Sequence, residues 1–420
     1  MTMDRMILGE NVIYSTDSEE TGLNNNVIVS GSSGCGKTMS ISEPRFLETF
    51  NSSLIATVTK RRIVKKYAPV FRKRGYIVED LNFIHPKESN VAYDPLQYIG
   101  SYADITFLAE SIVKSNPRKD KSNADPYWDE AAISLMSAEI AFTLMTNEKA
   151  TFTDVIELHN SMDFKECGGQ ISTSLDRKFE YLAEKDPSCF AVSCWKSFQQ
   201  LPIKTASCVF GTLNTTIDTI FSPELKQMMA MEKKVDIKQL ATNKTVLFIS
   251  TSAVNPSLHC FVNMFYAQVF KTLFEYAESL PSGTLPIPVH VLCDDFATGS
   301  KILNFHEYIS IFREKQISVT LLVQSESQLE SMYGSTDATT IINNCDTYIY
   351  MGGMDLKTAR SISERLNAPL DEVLYMPIGQ EYVFRRGQRP IITTRYNITN
   401  NKQYQRITQD YEKNISERNR

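Results

Sequence analysis

The stretch VIVSGSSGCGKTMS spans residues 27–40 and decides the fold class of this chain. It places an apolar segment before G-x-x-x-x-G-K-[ST], the pattern of a phosphate-binding loop. Such a loop needs inward-turned backbone N–H groups, which residues without Cβ crowding supply, and a helix N-terminus behind them. The residues predicted to cradle phosphates are Gly31, Ser32, Ser33, Gly34, Cys35, Gly36, Lys37 and Thr38.

Lys37 and Thr38 carry the chemistry of this loop. A lysine in this position reaches the β and γ phosphates, and the hydroxyl that follows it binds Mg²⁺. The alternative is a glycine-rich turn with a chance Lys-Thr pair, but the strand-like VIV before the loop argues against it. A GTPase would need Asn-Lys-x-Asp, and the sequence NKTV at 243–246 lacks the acid. The loop therefore predicts a bound nucleoside triphosphate with Mg²⁺, and we expect the nucleotide to be ATP.

Composition sets the class of protein and its compartment. The chain has 420 residues, of which 42% are hydrophobic and 22% charged, typical of a globular protein of two-domain size. A net charge of -5 means that contact with a polyanion requires a local basic face. The eight cysteines include no C-x-x-C pair, and no run of about 18 apolar residues or signal-peptide core is present. We expect a cytoplasmic protein that is tethered to a membrane only through partners.

The segments along the chain predict an α/β fold. Strand-like segments alternate with helices before residue 100 and again after 240, as in a parallel sheet built from βαβ units. Between them the patterns are amphipathic helices. We therefore expect residues 1–100 to form the first part of a nucleotide-binding domain, 101–240 an inserted all-α domain, 241–396 the second part, and 397–420 a polar, flexible tail.

An acidic pair follows a buried strand in VHVLCDDF, residues 289–296. A nucleoside triphosphatase needs a carboxylate for Mg²⁺ and a second one to orient the attacking water, both at the end of a strand beside the phosphate loop. Asp294 is the predicted Mg²⁺ ligand and Asp295 the predicted water-orienting residue. A plain helix cap is the alternative, because Asp-Asp pairs are common there.

A basic stretch runs from Lys60 to Arg74 with eight lysines and arginines and no acid. On an acidic chain it is the best candidate for contact with a phosphate backbone, although a solvated helix face is an equal alternative. A weaker cluster contains Lys114, Arg118, Lys119 and Lys121.

Several stretches resemble the coupling proteins of type IV secretion, the TraG/TraD-like ATPases of conjugative DNA transfer. The stretches are TGLNNNVIVSGSSGCGKT (21–38), NVAYDPLQYI (90–99), DPYWDEAAISLMSA (125–138) and VLCDDFATGSKILNFHEYISIFREKQISVTLLVQSESQLESMYG (291–334). The last is the most specific, because its acidic pair, Arg313 and Gln324 follow the family's order and approximate spacing. The likeness covers most of residues 20–370.

The resemblance implies a RecA-like P-loop fold with an inserted all-α domain, working as a ring that is usually hexameric. Such a ring moves single-stranded DNA, or a relaxase bound to DNA, toward a secretion channel. Gln324 would sense the γ phosphate, and Arg313 would be an arginine finger from the neighbouring subunit. From the residues alone, pairing of Arg313 with Glu307 or Glu314 is the simpler interpretation.

Three departures from the family keep alternatives open. Family members usually begin with transmembrane helices, whereas this sequence shows no such apolar run. The turn after the second strand is usually acidic in the family but reads TVTKRRIVKK here. Asp295 stands where the family usually has Glu. A soluble DNA translocase of the same motor group is one alternative. A nucleotide-binding adaptor with little hydrolysis is the other.

Overall fold

A computed structural model describes residues 3–115, 126–167, 170–252, 255–298 and 300–418. The strands are β1 (Arg5–Gly9), β2 (Val12–Ser15), β3 (Val27–Ser30), β4 (Ser53–Val58), β5 (Ile77–Asn82), β6 (Phe164–Cys167), β7 (Gln170–Thr173), β8 (Thr245–Ser250), β9 (Val289–Cys293), β10 (Ile317–Val323), β11 (Thr347–Tyr350), β12 (Gln380–Arg385) and β13 (Ile391–Thr394).

The helices are α1 (Ser18–Thr21), α2 (Glu43–Glu48), α3 (Arg61–Lys73), α4 (Tyr102–Lys114), α5 (Pro126–Thr146), α6 (Phe152–Asn160), α7 (Asp176–Lys185), α8 (Phe190–Gln199), α9 (Ile203–Ile220), α10 (Pro223–Met229), α11 (Gln239–Thr242), α12 (Pro256–Ser279), α13 (Phe305–Ile311), α14 (Glu326–Tyr333), α15 (Ser335–Asn343), α16 (Leu356–Leu366), α17 (Leu370–Leu374) and α18 (Lys402–Arg418).

The main sheet has the strand order β13-β12-β11-β3-β10-β9-β4-β8-β5. The pairs from β11 to β5 are parallel, whereas β12 and β13 add antiparallel strands at one edge. The sequence predicts seven strand-like segments, and each overlaps one parallel strand of this sheet; they are residues 27–30, 53–59, 75–81, 245–250, 287–295, 317–325 and 347–353. The mainly parallel α/β fold expected from the sequence is therefore confirmed.

Burial on both faces explains why the strands in the middle of the sheet, such as β3, are mainly apolar. On β3, Ile28 belongs to one hydrophobic cluster, while Val27 and Val29 belong to the cluster on the opposite face. Side chains of a strand alternate between the two faces of the sheet. When both faces are buried, the side chains on both are apolar. The sheet therefore lies between two helical layers, with α2, α3 and α18 on the face of Val27.

The inserted segment between β5 and β8 is mainly helical. Its two connections to the sheet pair with each other where Ala92 and Lys234 form a parallel bridge. The sequence predicts helices alone here, whereas the structure adds the hairpin of β6 and β7, with Phe164 opposite Thr173. The two strands have only four residues each, which is too short a pattern to stand out from the surrounding helical segments.

The polar tail, which the sequence predicts to be flexible, is helical over the residues that the structure describes. Residues 402–418 form α18, which packs on α3. Tyr404 and Ile407 lie three residues apart, on one side of the helix, and both pack against the core. The Nζ atom of Lys66 lies 3.4 Å from the centre of the Tyr404 ring. A narrow apolar stripe therefore holds a helix whose composition is otherwise polar.

Candidate functional site

The loop after β3 has the backbone that a phosphate cradle requires. Gly34 and Gly36 have φ angles of 78° and 92°, in the left-handed region that residues with a Cβ rarely adopt. At Gly31, a Cβ would lie 2.7 Å from the Cys35 Sγ and 3.0 Å from the Met351 Cβ. Each of these three positions therefore requires glycine for its own reason, which chance alone would not produce.

Lys37 follows this loop and turns its side chain back over it. Its Nζ donates to the carbonyl oxygens of Gly31 at 2.5 Å and of Ser32 at 3.2 Å. Thr38 begins a π-helical turn, Thr38–Ser42, that continues into α2. The ammonium group and the first helical turn thus face the concave side of the loop, where phosphate oxygens would lie.

The strand order brings Lys37, Gln324 and Asp294, but not Arg313, to the same edge of the sheet. β10 lies between β3 and β9, and all three are parallel, so the loop, Gln324 and Asp294 follow neighbouring carboxyl ends. Strands in a sheet are about 4.8 Å apart, so β9 lies about 10 Å from β3. That gap leaves room for phosphate groups and a cation between Lys37 and Asp294.

Asp294 is largely buried and lies within electrostatic range of Lys37 and Lys60. Burial and the neighbouring Asp295 raise the pKa of Asp294 to about 6, while Lys37 and Lys60 act in the opposite direction. A carboxylate that is partly desolvated and lies beside a second carboxylate is stabilised by a cation. Lys60, which follows β4, is a positive charge near the site that the sequence motifs do not indicate.

Asp295 lies in a strained turn. Its φ is 53° and that of Ala297 is 65°, both in the left-handed region. The Thr298 Oγ1 donates to the Asp295 carbonyl oxygen at 2.7 Å and lies 3.1 Å from the His259 Nδ1. Burial lowers the pKa of His259, and Asp295 opposes this shift. His259 is thus a neighbour of the acidic pair that sequence spacing could not reveal.

Gln324 is the first residue beyond β10, and its side chain is exposed. Its backbone N–H donates to the Gln328 Oε1 at 3.0 Å, which fixes the turn into α14. Gln324 therefore follows the strand that lies between β3 and β9, at the same edge of the sheet as Lys37.

Arg313 lies at the other end of the sheet. It precedes β10, whose seven residues separate it from Gln324 by about 23 Å at 3.3 Å per residue. Arg313 is exposed and lines a cavity of about 340 Å³ together with Asp4, Arg45 and His290. Within the described residues no ion pair joins Arg313 to Glu307 or Glu314. Arg313 therefore cannot reach the phosphate loop of its own chain.

The basic stretch divides into structural and exposed residues. Arg61 pairs with Asp80, Lys66 with the buried Glu43, and Arg74 donates to carbonyl oxygens at the end of α2. The exposed residues are Lys60, Arg62, Lys65, Arg72 and Lys73. Only these five remain candidates for contact with a phosphate backbone. In the weaker cluster, Arg118, Lys119 and Lys121 lie outside the described residues.

Within the described residues, no group of three His, Cys, Asp or Glu side chains could hold a metal ion. Of the helices in the described ranges, none has the length and apolar character needed to cross a bilayer.

The phosphate-binding loop Gly31–Thr38 follows β3, and the acidic pair Asp294 and Asp295 follows β9, two strands away in the sheet. This arrangement defines a RecA-like P-loop nucleoside triphosphatase. A sequence model of the family described as type IV secretory system conjugative DNA transfer matches residues 3–368, and the chain belongs to this family. The resemblance to coupling proteins seen in the sequence, and the conjugative function it implies, are confirmed.

Solved structures agree with this fold. The plasmid coupling protein TrwB with the non-hydrolysable ATP analogue ADPNP is 16% identical, covering 89% of this chain and 85% of that one at a TM-score of 0.67. TrwB with ADP and Mg²⁺ is 15% identical over 94% and 96%, also at 0.67. VirB4 of Thermoanaerobacter pseudethanolicus is 13% identical over 94% and 96%, at 0.58. A comparison with curated proteins finds no match.

Proposed function

We propose that this protein is an ATP-hydrolysing coupling protein that recruits DNA or a relaxase bound to DNA and drives it toward a type IV secretion channel. The observation that carries the proposal is the strand order β3-β10-β9, which gathers Lys37, Gln324 and Asp294 at one edge of the sheet. TrwB, which has the same fold, is described as a bacterial conjugative coupling protein.

Each residue has a distinct role in this proposal. Gly31–Thr38 and Lys37 hold the phosphates, and Thr38 and Asp294 hold Mg²⁺. When bound, Mg²⁺ neutralises charge on the phosphate oxygens. Asp295 orients the attacking water. Gln324, at the end of β10, senses whether the γ phosphate is present.

The exposed basic residues of α3 support DNA as the polymer. Arg62, Lys65 and Arg72 are spaced at i, i+3 and i+10, which places them on one side of the helix. Contacts from such a face go to backbone phosphates, so they tolerate different sequences and weaken with salt. Single-stranded DNA is the form that a conjugative motor would move.

A homo-oligomeric ring, hexameric as in the family, fits two surface features. Arg313 can serve only a neighbouring subunit, because it lies at the opposite end of the sheet from its own loop. Met354, Tyr375 and Ile378 are 88%, 83% and 99% exposed, in the segments that follow β11 and precede β12, next to the phosphate loop. Exposed apolar side chains at such an edge are typical of subunit contacts. The ring would attach to the inner face of the membrane through components of the secretion channel.

ATP turnover with and without single-stranded DNA tests the proposal. The wild-type protein should hydrolyse ATP, faster with DNA, and Lys37→Ala should abolish turnover. Lys87→Ala, which changes an exposed lysine far from the loop in sequence, is the matched control and should behave like the wild type. Turnover that is equal in the wild type and Lys37→Ala would refute the assigned site.

A nucleotide-binding adaptor with little hydrolysis is the second candidate, and Asp295 favours it. The aspartate side chain is one methylene shorter than the glutamate usual in the family, and its backbone lies in a left-handed turn. Tight ATP binding with no turnover, even with DNA and a relaxase present, would favour the adaptor. A soluble translocase would instead hydrolyse ATP on DNA without needing a relaxase or channel.

A further inference from the structure

β3, which leads into the phosphate loop, has a neighbouring strand on each side. The predicted catalytic residues Gln324 and Asp294 follow strands on one of these sides only. β3 pairs with β10 on one side and with β11 on the other. Gln324 and Asp294 lie on the side of β10 and β9, so the transferred phosphate belongs there. The rest of a bound nucleotide, its α phosphate and nucleoside, therefore points toward the side of β11.

An arginine lies on that second side. Arg395 follows β13, and its backbone N–H donates to the Gly379 carbonyl oxygen at 2.8 Å. Its Nη2 donates to the Met351 carbonyl oxygen, at the end of β11, at 2.7 Å. Its Cδ and Nη1 would lie 3.9 and 4.0 Å from a Cβ built on Gly36. The guanidinium group is therefore fixed against the last glycine of the loop.

The charge of this guanidinium group is not neutralised within the described residues. Its Nε is buried and has no hydrogen-bond partner there. The carboxyl group that interacts with it belongs to Glu381 on β12, whose two oxygens are also buried without partners. Burial raises the pKa of Glu381 to about 8, with Arg395 opposing the shift, so this carboxyl group is largely uncharged at neutral pH. Arg395 therefore keeps its full positive charge beside the loop.

We infer that Arg395 binds the α-phosphate end of the nucleotide from within the same chain, on the side of the loop away from Asp294. A guanidinium group offers several N–H donors in a plane, and a phosphate accepts two of them at once. One donor is already used by Met351, which holds the group in place for the others. This inference rests on the nucleotide site of the proposed function.

Because ADP and ATP share the α phosphate, the inference makes a sharp prediction about binding. Arg395→Gln should weaken the Kd of both Mg·ADP and Mg·ATPγS by the same factor, about 10- to 100-fold, the range for one lost charge-assisted contact. Arg395→Lys, which keeps the charge but not the planar fork, should fall between. Arg389→Gln, an exposed arginine of the same β-hairpin, is the matched control and should leave both Kd values unchanged.

Calorimetric titration and thermal unfolding without nucleotide distinguish binding from a merely structural role. If Arg395→Gln and Arg395→Lys lower the melting temperature but leave both Kd values unchanged, the inference is wrong. Arg395 would then have only a structural role, through its hydrogen bond to Met351. A loss confined to Mg·ATPγS would place Arg395 at the γ phosphate and also overturn it. If the wild type binds neither nucleotide, the proposed function fails as well. If Lys37→Ala loses binding while Arg395→Gln keeps it, only this inference fails.

Discussion

Arg61 forms a bidentate ion pair with Asp80, with distances of 2.6 Å from Nη1 to Oδ1 and 2.8 Å from Nη2 to Oδ2. Its Nη1 also donates to the Ser250 Oγ at 2.9 Å. The first residue of α3 is thereby joined to the two strands β5 and β8. Arg61 is part of the fold, although it stands in a basic stretch for which the sequence alone leaves DNA contact and a solvated helix face as equal alternatives.

Arg61→Ala should therefore destabilise the protein rather than change DNA binding specifically. The change leaves Asp80 without its planar partner in a place where that side chain is 16% exposed. Loss of one partner of a well-formed, partly buried pair costs about 2 kcal/mol. Urea unfolding monitored by circular dichroism checks this, and an unchanged midpoint would contradict it.

The double variant Arg62→Ala, Lys65→Ala should weaken DNA binding without loss of stability. Both side chains are exposed on α3. Each lost phosphate contact reduces the slope of log K against log salt by about 0.7 for single strands, so two contacts reduce it by about 1.4. Titrations of labelled single-stranded DNA at several salt concentrations measure the slope. If the variant keeps the wild-type slope, these residues do not touch the DNA backbone.

Asp295 is best tested by a variant that keeps its backbone conformation. Asparagine adopts the left-handed region as readily as aspartate, whereas alanine and glutamate do not. Asp295→Asn should bind Mg·ATP normally and lose turnover by 100-fold or more, the usual contribution of a proton-accepting group. Single-turnover kinetics with labelled ATP measure it. Equal rates in the wild type and Asp295→Asn would leave Asp295 with a structural role only.

Asp295→Glu tests the reach of the same side chain. The extra methylene moves the carboxylate by about 1.5 Å, which matters because a displacement of about 1 Å can change a rate on the order of a hundredfold. We expect faster turnover at a small cost in stability from the left-handed turn. Slower turnover would mean that the turn already brings Asp295 close enough to the water.

Glu381 should make stability depend on pH. Its pKa is about 8 in the folded chain and about 4.3 when unfolded, so the folded state binds more protons between these values. The free energy of unfolding therefore falls as pH rises from about 4.3 to 8, by on the order of a few kcal/mol. Glu381→Gln stays neutral throughout, and its melting temperature should fall less than that of the wild type between pH 5 and 8.

Glu364→Gln, which changes an exposed glutamate of α16, is the control for this series. Its melting temperature should change with pH in the same way as that of the wild type. Parallel curves for the wild type and Glu381→Gln would show that Glu381 is ionised in the folded protein, and its buried environment would then need another explanation.

Local patterns in the sequence were sufficient to locate the loop, the strand end before Asp294 and the seven parallel strands, because each depends on residues close together in the chain. Contacts between distant segments were not accessible in this way. The position of β10 between β3 and β9, the pair of Arg61 and Asp80, and the approach of Arg395 to Gly36 all depend on strand order. β12 and β13 were missed because their alternation is short, although Gly387 between them is a turn signal.

Arg313 provides the last prediction, since its position at the far end of β10 makes a role in its own site impossible. Arg313→Ala should bind ATP like the wild type and lose turnover, because a neighbouring subunit then lacks the guanidinium group that stabilises transferring oxygens. Arg177→Ala, an exposed arginine of α7, is the control and should stay active.

Mixing the Arg313→Ala and Lys37→Ala chains then decides between action within and between subunits. In a ring with head-to-tail contacts, about one quarter of the interfaces in an equal mixture join an intact loop to an intact arginine. Turnover should therefore return to about one quarter of the wild-type rate if sites act independently, while each variant alone stays inactive. Native mass spectrometry must show that mixed rings form. Mixed rings without any recovered turnover would mean that Arg313 does not act on its neighbour, and its exposure would then reflect only a solvated turn before β10.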